Sequence, residues 1–219
     1  AAKLLFKARR RLGVFYPWKY LCEYEIGPVK PGVLQARGDV YLDGYWQSEK
    51  YFADAGGVIR REFALKEPPG PEVEALAARI RSVPAVSVHV RRGDLAAATK
   101  KFQVYGPPLK PEYYEHCLRE MAARVPGAHF FVFSDDAEWP RANLRFPWPM
   151  TFVPPNPRDF DDFRLMAMCR HHIIANSSFS WWAAWLADGA DKIVFAPRHY
   201  VHENTLDTRD LIPDGWIIA

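Results

Sequence analysis

Three short polar runs in this sequence carry residue types that can hold an anionic nucleotide. Arg91-Arg92-Gly93-Asp94 follows the apolar run Ala85–Val90, Ser134-Asp135-Asp136 follows His129–Phe133, and Asn176-Ser177-Ser178-Phe179-Ser180 follows His172–Ala175. A guanidinium fork makes bidentate bonds to phosphate oxygens and keeps its charge at any working pH. With Gly93 just behind it, Arg91 can meet a diphosphate without steric interference. Serines at a helix start offer hydroxyls beside unfilled backbone N–H groups, where the helix dipole favours anions. The same residues have plainer readings, as two solvated loop arginines and as serines that only cap a helix. A carboxylate of Asp135 or Asp136 can accept paired hydrogen bonds from the N1–H and exocyclic amine of guanine. Either can instead cap a helix beginning near Ala137. His89 lies inside a strand pattern and, taken alone, reads as a core residue.

Metal chemistry is a weaker reading. Asp159-Phe160-Asp161-Asp162 contains an Asp-x-Asp, a pattern able to hold a divalent ion, but it precedes a helical pattern and no second cluster follows. Capping of that helix by Asp159 or Asp161 is the expectation. His171 and His172 point to opposite sides of a strand, and His199-Tyr200-Val201-His202 offers two ligands at most with no cysteine nearby. Arginines and a helix dipole can neutralise a diphosphate without a cation, so neither metal nor cofactor is expected.

These runs need elements to bring them together. Helical spacing over Glu72–Ser82 follows a Pro/Gly breaker, and Ala85–Val90 reads as a strand. Pro111 opens a helix in the first-turn position it favours. Strand His129–Phe133, a short helix near Glu138–Leu144, strand Thr151–Val153, a helix over Phe163–Arg170, strand His172–Ala175, a helix with Ser180–Leu186 and strand Lys192–Ala196 complete the alternation. Near-continuous apolar strands alternating with helices predict a parallel α/β sheet covered on both faces, with ligands beyond the carboxyl ends of its strands. The three polar runs would then share one rim. Residues 71–219 read as a Rossmann-like unit, and residues 1–70 as a partial second domain with a basic helical start (Lys3, Lys7, Arg9, Arg10, Arg11) and aromatic-rich turns. The Trp181, Trp182, Trp185 cluster reads as core.

The 29 basic residues exceed the 26 acidic ones by a net charge of only +3, too little to argue for nucleic acid. No apolar run is long enough for a membrane span, which leaves membrane association at most peripheral, at the inner face. Cys22, Cys117 and Cys169 are widely spaced without a Cys-x-x-Cys. Reduced thiols, and hence a cytoplasmic location, are the expectation.

With these residues in hand, the chain resembles the α-1,2-fucosyltransferase family, its bacterial members in particular. His89-Val90-Arg91-Arg92-Gly93-Asp94 resembles the family's His-x-Arg-Arg-x-Asp signature, and Phe131-Val132-Phe133-Ser134-Asp135-Asp136 its second motif. Ala175-Asn176-Ser177-Ser178-Phe179-Ser180-Trp181-Trp182 is similar to the third, with Ala183 where glycine is common. Gly44-Tyr45-Trp46-Gln47-Ser48-Glu49-Lys50-Tyr51-Phe52 and Pro111-Glu112-Tyr113-Tyr114 match flanking text. The order and spacing of the motifs carry the resemblance from about residue 40 to 200.

The resemblance implies transfer of L-fucose from GDP-β-L-fucose to the 2-hydroxyl of a terminal galactoside, with inversion and without metal. It implies that Arg91 contacts the β-phosphate with Arg92 beside it. His89 and one of Asp135 or Asp136 would read the guanine, and Ser177, Ser178 or Ser180 would hold phosphate oxygens. The motifs also bring Ser134 and Asn176 into the donor site. Asp94 is the nearest carboxylate for a general base, or it orients Arg91. The implied fold is GT-B-like, two Rossmann-like domains across a cleft, with this chain supplying the nucleotide half. The family's glycine-rich opening segment, resembling Gly-Gly-Leu-Gly-Asn-Gln, has no counterpart here, so the acceptor side is expected to be incomplete. Rival readings are a non-catalytic GDP- or sugar-binding module, a fucosyltransferase acting on a protein hydroxyl or another glycan position, and membrane or nucleic-acid binding through Lys3–Arg11.

Overall fold

A computed structural model describes residues 19–23, 28–93, 107–200 and 208–219. The basic run Lys3–Arg11 and Asp94 lie outside them. Among the described residues the amino-terminal part holds β1 (Lys19–Cys22), α1 (Pro31–Leu34) and β2 (Val40–Asp43); β1 and β2 pair in parallel as a separate two-stranded ribbon. Two 3-10 turns and α2 (Gly56–Glu62) lead to α3 (Pro71–Arg81), whose entry has Pro71 in the first turn after Gly70.

From there the chain alternates. β3 (Ala85–Val90), α4 (Pro111–Arg124), β4 (His129–Ser134), α5 (Glu138–Asn143) and β5 (Met150–Phe152) come first. Then follow α6 (Asp159–Met168), β6 (His171–Ile173), α7 (Ser178–Leu186), β7 (Val194–Ala196) and β8 (Ile217–Ile218). All six strands from β3 to β8 are parallel, in the order β5-β4-β3-β6-β7-β8. This is the expected parallel α/β sheet. Strand β5 starts one residue earlier than its apolar pattern suggests, and β8 was not legible because two residues carry no period.

The sheet has helices on both faces, as its apolar strands require. Every residue of β3 is buried. Val86, Val88 and Val90, with Phe130 and Val132 in register beside them, pack against Tyr114, Cys117, Leu118 and Met121 of α4. Ala85, Phe131 and Phe133 face the other way, onto Val73, Ala77 and Ile80 of α3 and Leu165 and Met166 of α6. Burying a side chain of this size stabilises by about 1.5–3 kcal/mol, so the two layers fix the strand order firmly.

A third cluster ties the amino-terminal part to α7. Trp181 and Trp185 are buried in it, as their core reading expects, and Phe52 stacks on Trp182 at 5.2 Å. The Trp185 indole donates to Glu49 at 2.9 Å, while Ser48 Oγ donates to the Asp210 carbonyl at 2.6 Å and Lys50 pairs with the Asp210 carboxylate at 2.7 Å. The Gly44–Phe52 run is therefore a strap between its own turns, α7 and the 208–216 segment.

Candidate active site

The chain enters the large sheet at its centre, lays β4 and β5 on one side, then crosses to lay β6, β7 and β8 on the other. The reversal opens a crevice between the carboxyl ends of β3 and β6, where ligands of open α/β sheets bind. Arg91 leaves β3 at this point, and Asn176 and Ser177 lead from β6 into α7. Ser134 ends the adjacent β4. Three motifs far apart in sequence thus meet on one rim.

On the β4 side the rim is organised by charge. Asp135 accepts the Arg92 backbone N–H at 2.7 Å and lies 3.5 Å from Arg91 Nε. A Cβ on Gly93 would stand 3.1 Å from the Asp135 carboxylate, so glycine lets this carboxylate close over the loop. Sequence reasoning gave that space to the ligand; the structure gives part of it to Asp135. Arg92 turns away toward α5, with Nε 3.5 Å from Asp136 and its guanidinium 4.4 Å over the Trp139 ring. Asp136 also accepts the Trp139 N–H at 3.2 Å and so caps α5. The hydroxyl of Ser134 lies 2.9 Å from both the Val90 and Asp136 carbonyls, sharing its one hydrogen between them, and accepts the Asp136 N–H at 3.0 Å, so it ties β3 to the loop.

On the β6 side the polar groups are less occupied. Ser177 is the cap residue of α7, yet its side chain makes no capping bond, and Ser178 is exposed. First-turn N–H groups are thus left without a side-chain acceptor, the condition for an anion site at a helix start. Ser180 is placed differently from the expectation that any of the three serines could hold phosphate. It is wholly buried, accepting the Ala175 N–H at 3.3 Å and donating to the Ser177 carbonyl at 3.3 Å, so it closes the turn instead. Asn176 is buried and donates to the Pro107 carbonyl at 3.3 Å, which pins the approach to α4.

His89 sits under the first turn of α7, its ring 5.8 Å from Phe179. Burial, helped by the charge of Arg91 and opposed by Asp135, holds its pKa down to about 4, so the imidazole is neutral. Its Nδ1 is buried with no hydrogen-bond partner among the described residues. The buried hydroxyls of Tyr114 and Tyr200 are in the same condition. A buried polar atom left unpaired costs about 1–3 kcal/mol. Tyr114, on α4, packs on one face of β3, while Tyr200 packs beside α7. Tyr113 is already committed, donating to the Ile174 carbonyl at 2.7 Å and so fixing the β6 end. Neither residue type nor spacing marks Tyr114 and Tyr200 in the sequence. Tyr200 could have been suspected as part of the segment leaving β7 onto the same rim.

The acidic run forms the first turn of α6. Arg158, not an aspartate, is the cap residue by backbone conformation, and it makes no side-chain cap. Asp159, Asp161 and Asp162 fill the first turn, where their charge suits the helix dipole. Asp161 pairs with Arg158 at 2.8 Å, and Asp162 accepts from Asn156 at 2.5 Å. Burial raises the Asp162 pKa to about 6, against the Asn156 bond. Among the described residues no group of three or more histidine, cysteine, aspartate or glutamate side chains could hold a metal, and no helix is long and apolar enough to cross a membrane.

A parallel α/β sheet whose strand order reverses at a rim of charged and polar residues is compatible with the Rossmann-like class. The comparisons narrow this. The model of glycosyl transferase family 11 matches residues 33–218, and the chain belongs to that family. It is 34% identical to an α-1,2-colitosyltransferase of Escherichia coli over 187 residues, covering 83% of this chain and 63% of that protein. It is 36% identical to the O-antigen biosynthesis glycosyltransferase WbnK of Escherichia coli over 134 residues, 60% of this chain and 43% of that one. Galactoside α-(1,2)-fucosyltransferase 1 of Homo sapiens is 29% identical over 159 residues, 68% of this chain and 43% of its own. The chain thus spans less than two thirds of the length of these relatives. No solved structure matches it.

Proposed function

We propose that this chain carries the donor site of an α-1,2-fucosyltransferase, with the diphosphate of GDP-fucose seated between Arg91 and the amino end of α7. The observation that carries this reading is the meeting of Arg91, held by Asp135, with the uncapped first turn of α7 at the sheet reversal. His89 and the Asp135–Asp136 pair are the proposed guanine readers; a carboxylate bonded to arginine still keeps lone pairs for a further N–H donor.

In the proposed reaction the bond between sugar C1 and the β-phosphate oxygen breaks as the acceptor 2-hydroxyl oxygen arrives from the opposite face. Charge builds on the departing diphosphate, so Arg91 and the α7 dipole stabilise the transition state more than the bound donor. This requires no cation. Asp94 is proposed to take the acceptor proton, and an Asp94→Asn enzyme that kept the acidic limb of its pH–rate profile would exclude it.

A second reading concerns the donor sugar. The α-1,2-colitosyltransferase relative covers more of this chain than the fucosyltransferases do, which favours a colitosyl donor as the alternative. The first test is calorimetric titration with GDP in EDTA, with UDP as control. Selective GDP binding is expected, and equal or absent binding of both would overturn the donor-site reading. Turnover of GDP-fucose against GDP-colitose on a galactoside acceptor then decides the sugar.

A further inference from the structure

Tyr200 follows β7 by four residues, on the rim where β6 delivers Ser177. Its ring is 3% exposed and packs with Ile174, Trp181, Ala184 and Leu211, contacts that a phenylalanine ring would make equally well. The hydroxyl adds nothing to that packing. It is buried with no hydrogen-bond partner among the described residues, an arrangement that costs stability. Its surroundings explain the exception. Burial pushes the hydroxyl pKa up, while the backbone N–H of Ser177, which itself donates to the Ala175 carbonyl at 2.8 Å, and the Arg91 charge pull the other way, so the oxygen lies near both residues. It does so as a proton donor throughout the working pH range.

Resting on the donor-site reading above, we propose that Tyr200 is a further donor-binding residue, giving its hydroxyl hydrogen to a diphosphate oxygen held between Arg91 and Ser177. A neutral donor suits this position. It contributes a hydrogen bond to the anion without adding to the positive charge that the free crevice must already contain. The bond gives the buried hydroxyl an acceptor that the described residues do not supply.

The test compares Tyr200→Phe, Arg91→Ala and the unaltered chain in thermal unfolding and in calorimetric titration with GDP and with guanosine. For Tyr200→Phe the expected result is an unchanged or raised Tm without nucleotide, and GDP binding weakened by about tenfold to a hundredfold, the range for a bond to a charged group. Guanosine, which has no phosphate, should bind equally well. Undiminished GDP affinity in Tyr200→Phe, alongside a loss in Arg91→Ala, would overturn the role of Tyr200 and leave the donor site standing. A Tm loss, or equal weakening of GDP and guanosine, would make Tyr200 structural and also overturn it. If the unaltered chain fails to bind GDP, or Arg91→Ala binds it undiminished, the donor-site reading falls and this inference with it.

Discussion

The first turn of α7 has Ser177 without a capping bond, Ser178 exposed, and His89 and Tyr200 beside it with buried unpaired atoms. Its last turn is the reverse. Lys192 Nζ donates to the Ala184 and Ala187 carbonyls at 2.6 and 2.7 Å, Arg60 donates to the Trp185 carbonyl at 3.2 Å, and the Arg60 guanidinium lies 4.4 Å over the Trp185 ring. Two cations thus sit on the negative end of the helix dipole, where they are favourable. One end of a nine-residue helix is saturated by side chains, and the other, on the proposed donor site, has no side-chain cap. Under the proposed donor-site reading the difference is a division of labour: the closed end holds the helix in place, so the open end can present its N–H groups to an anion without rearrangement.

Disrupting the closed end should cost stability and leave recognition intact. Trp185→Ala removes the ring that stacks on Trp181, meets Phe52 edge-on and lies under the Arg60 guanidinium, and it abolishes the bond to Glu49. A loss of about 3–5 kcal/mol in urea unfolding is expected. The molecules that remain folded should keep their GDP affinity, and a matching loss of affinity would show that the two ends are not separable.

The open end should respond the other way. Arg91→Ala removes a charge-assisted bond of about 1.5–3 kcal/mol, so turnover should fall by roughly tenfold to a few hundredfold with little change in Tm. An unchanged rate in a steady-state assay would sink the assignment of Arg91.

The smallest effect sharpens the comparison by pH. Burial first, then the charge of Arg60, pushes the Lys192 pKa down from 10.5 to about 8. Below about 8 folded and unfolded chains both hold the proton. From there to 10.5 the unfolded chain keeps a proton that the folded one has released, so this group makes stability rise with pH. The full shift corresponds to about 3 kcal/mol, which the partial exposure of Lys192 reduces to about 1–2 kcal/mol. Lys192→Met should lack that rise when urea midpoints are compared at pH 7 and pH 10. Parallel profiles for the two proteins would remove Lys192 from the account.

Most of the scaffold was legible in residue order. Ala85–Val90 and His129–Phe133 read as strands because β-branched and aromatic runs bounded by breakers have few other uses, and Pro111 marked the start of α4. The three polar runs were legible as strand-end chemistry for the same reason. Finer assignments were not. Ser177, Ser178 and Ser180 are alike in sequence, but the turn buries one oxygen fully, nearly buries another and exposes the third. Asp135 and Asp136 are adjacent, yet one faces Arg91 and the other caps α5.

The sequence by itself determined the alternation of elements, the polar character of the rim and the family, because periodicity, breakers and motif spacing are local quantities. Only the tertiary structure decided which polar atoms are already paired. That depends on neighbours from distant strands, such as Arg91 with Asp135 or Trp185 with Glu49, and on the sheet order that brings them within reach. Burial then sets the difference between a bonded hydroxyl such as Ser180 and an unpaired one such as Tyr200, a difference that residue type alone does not carry.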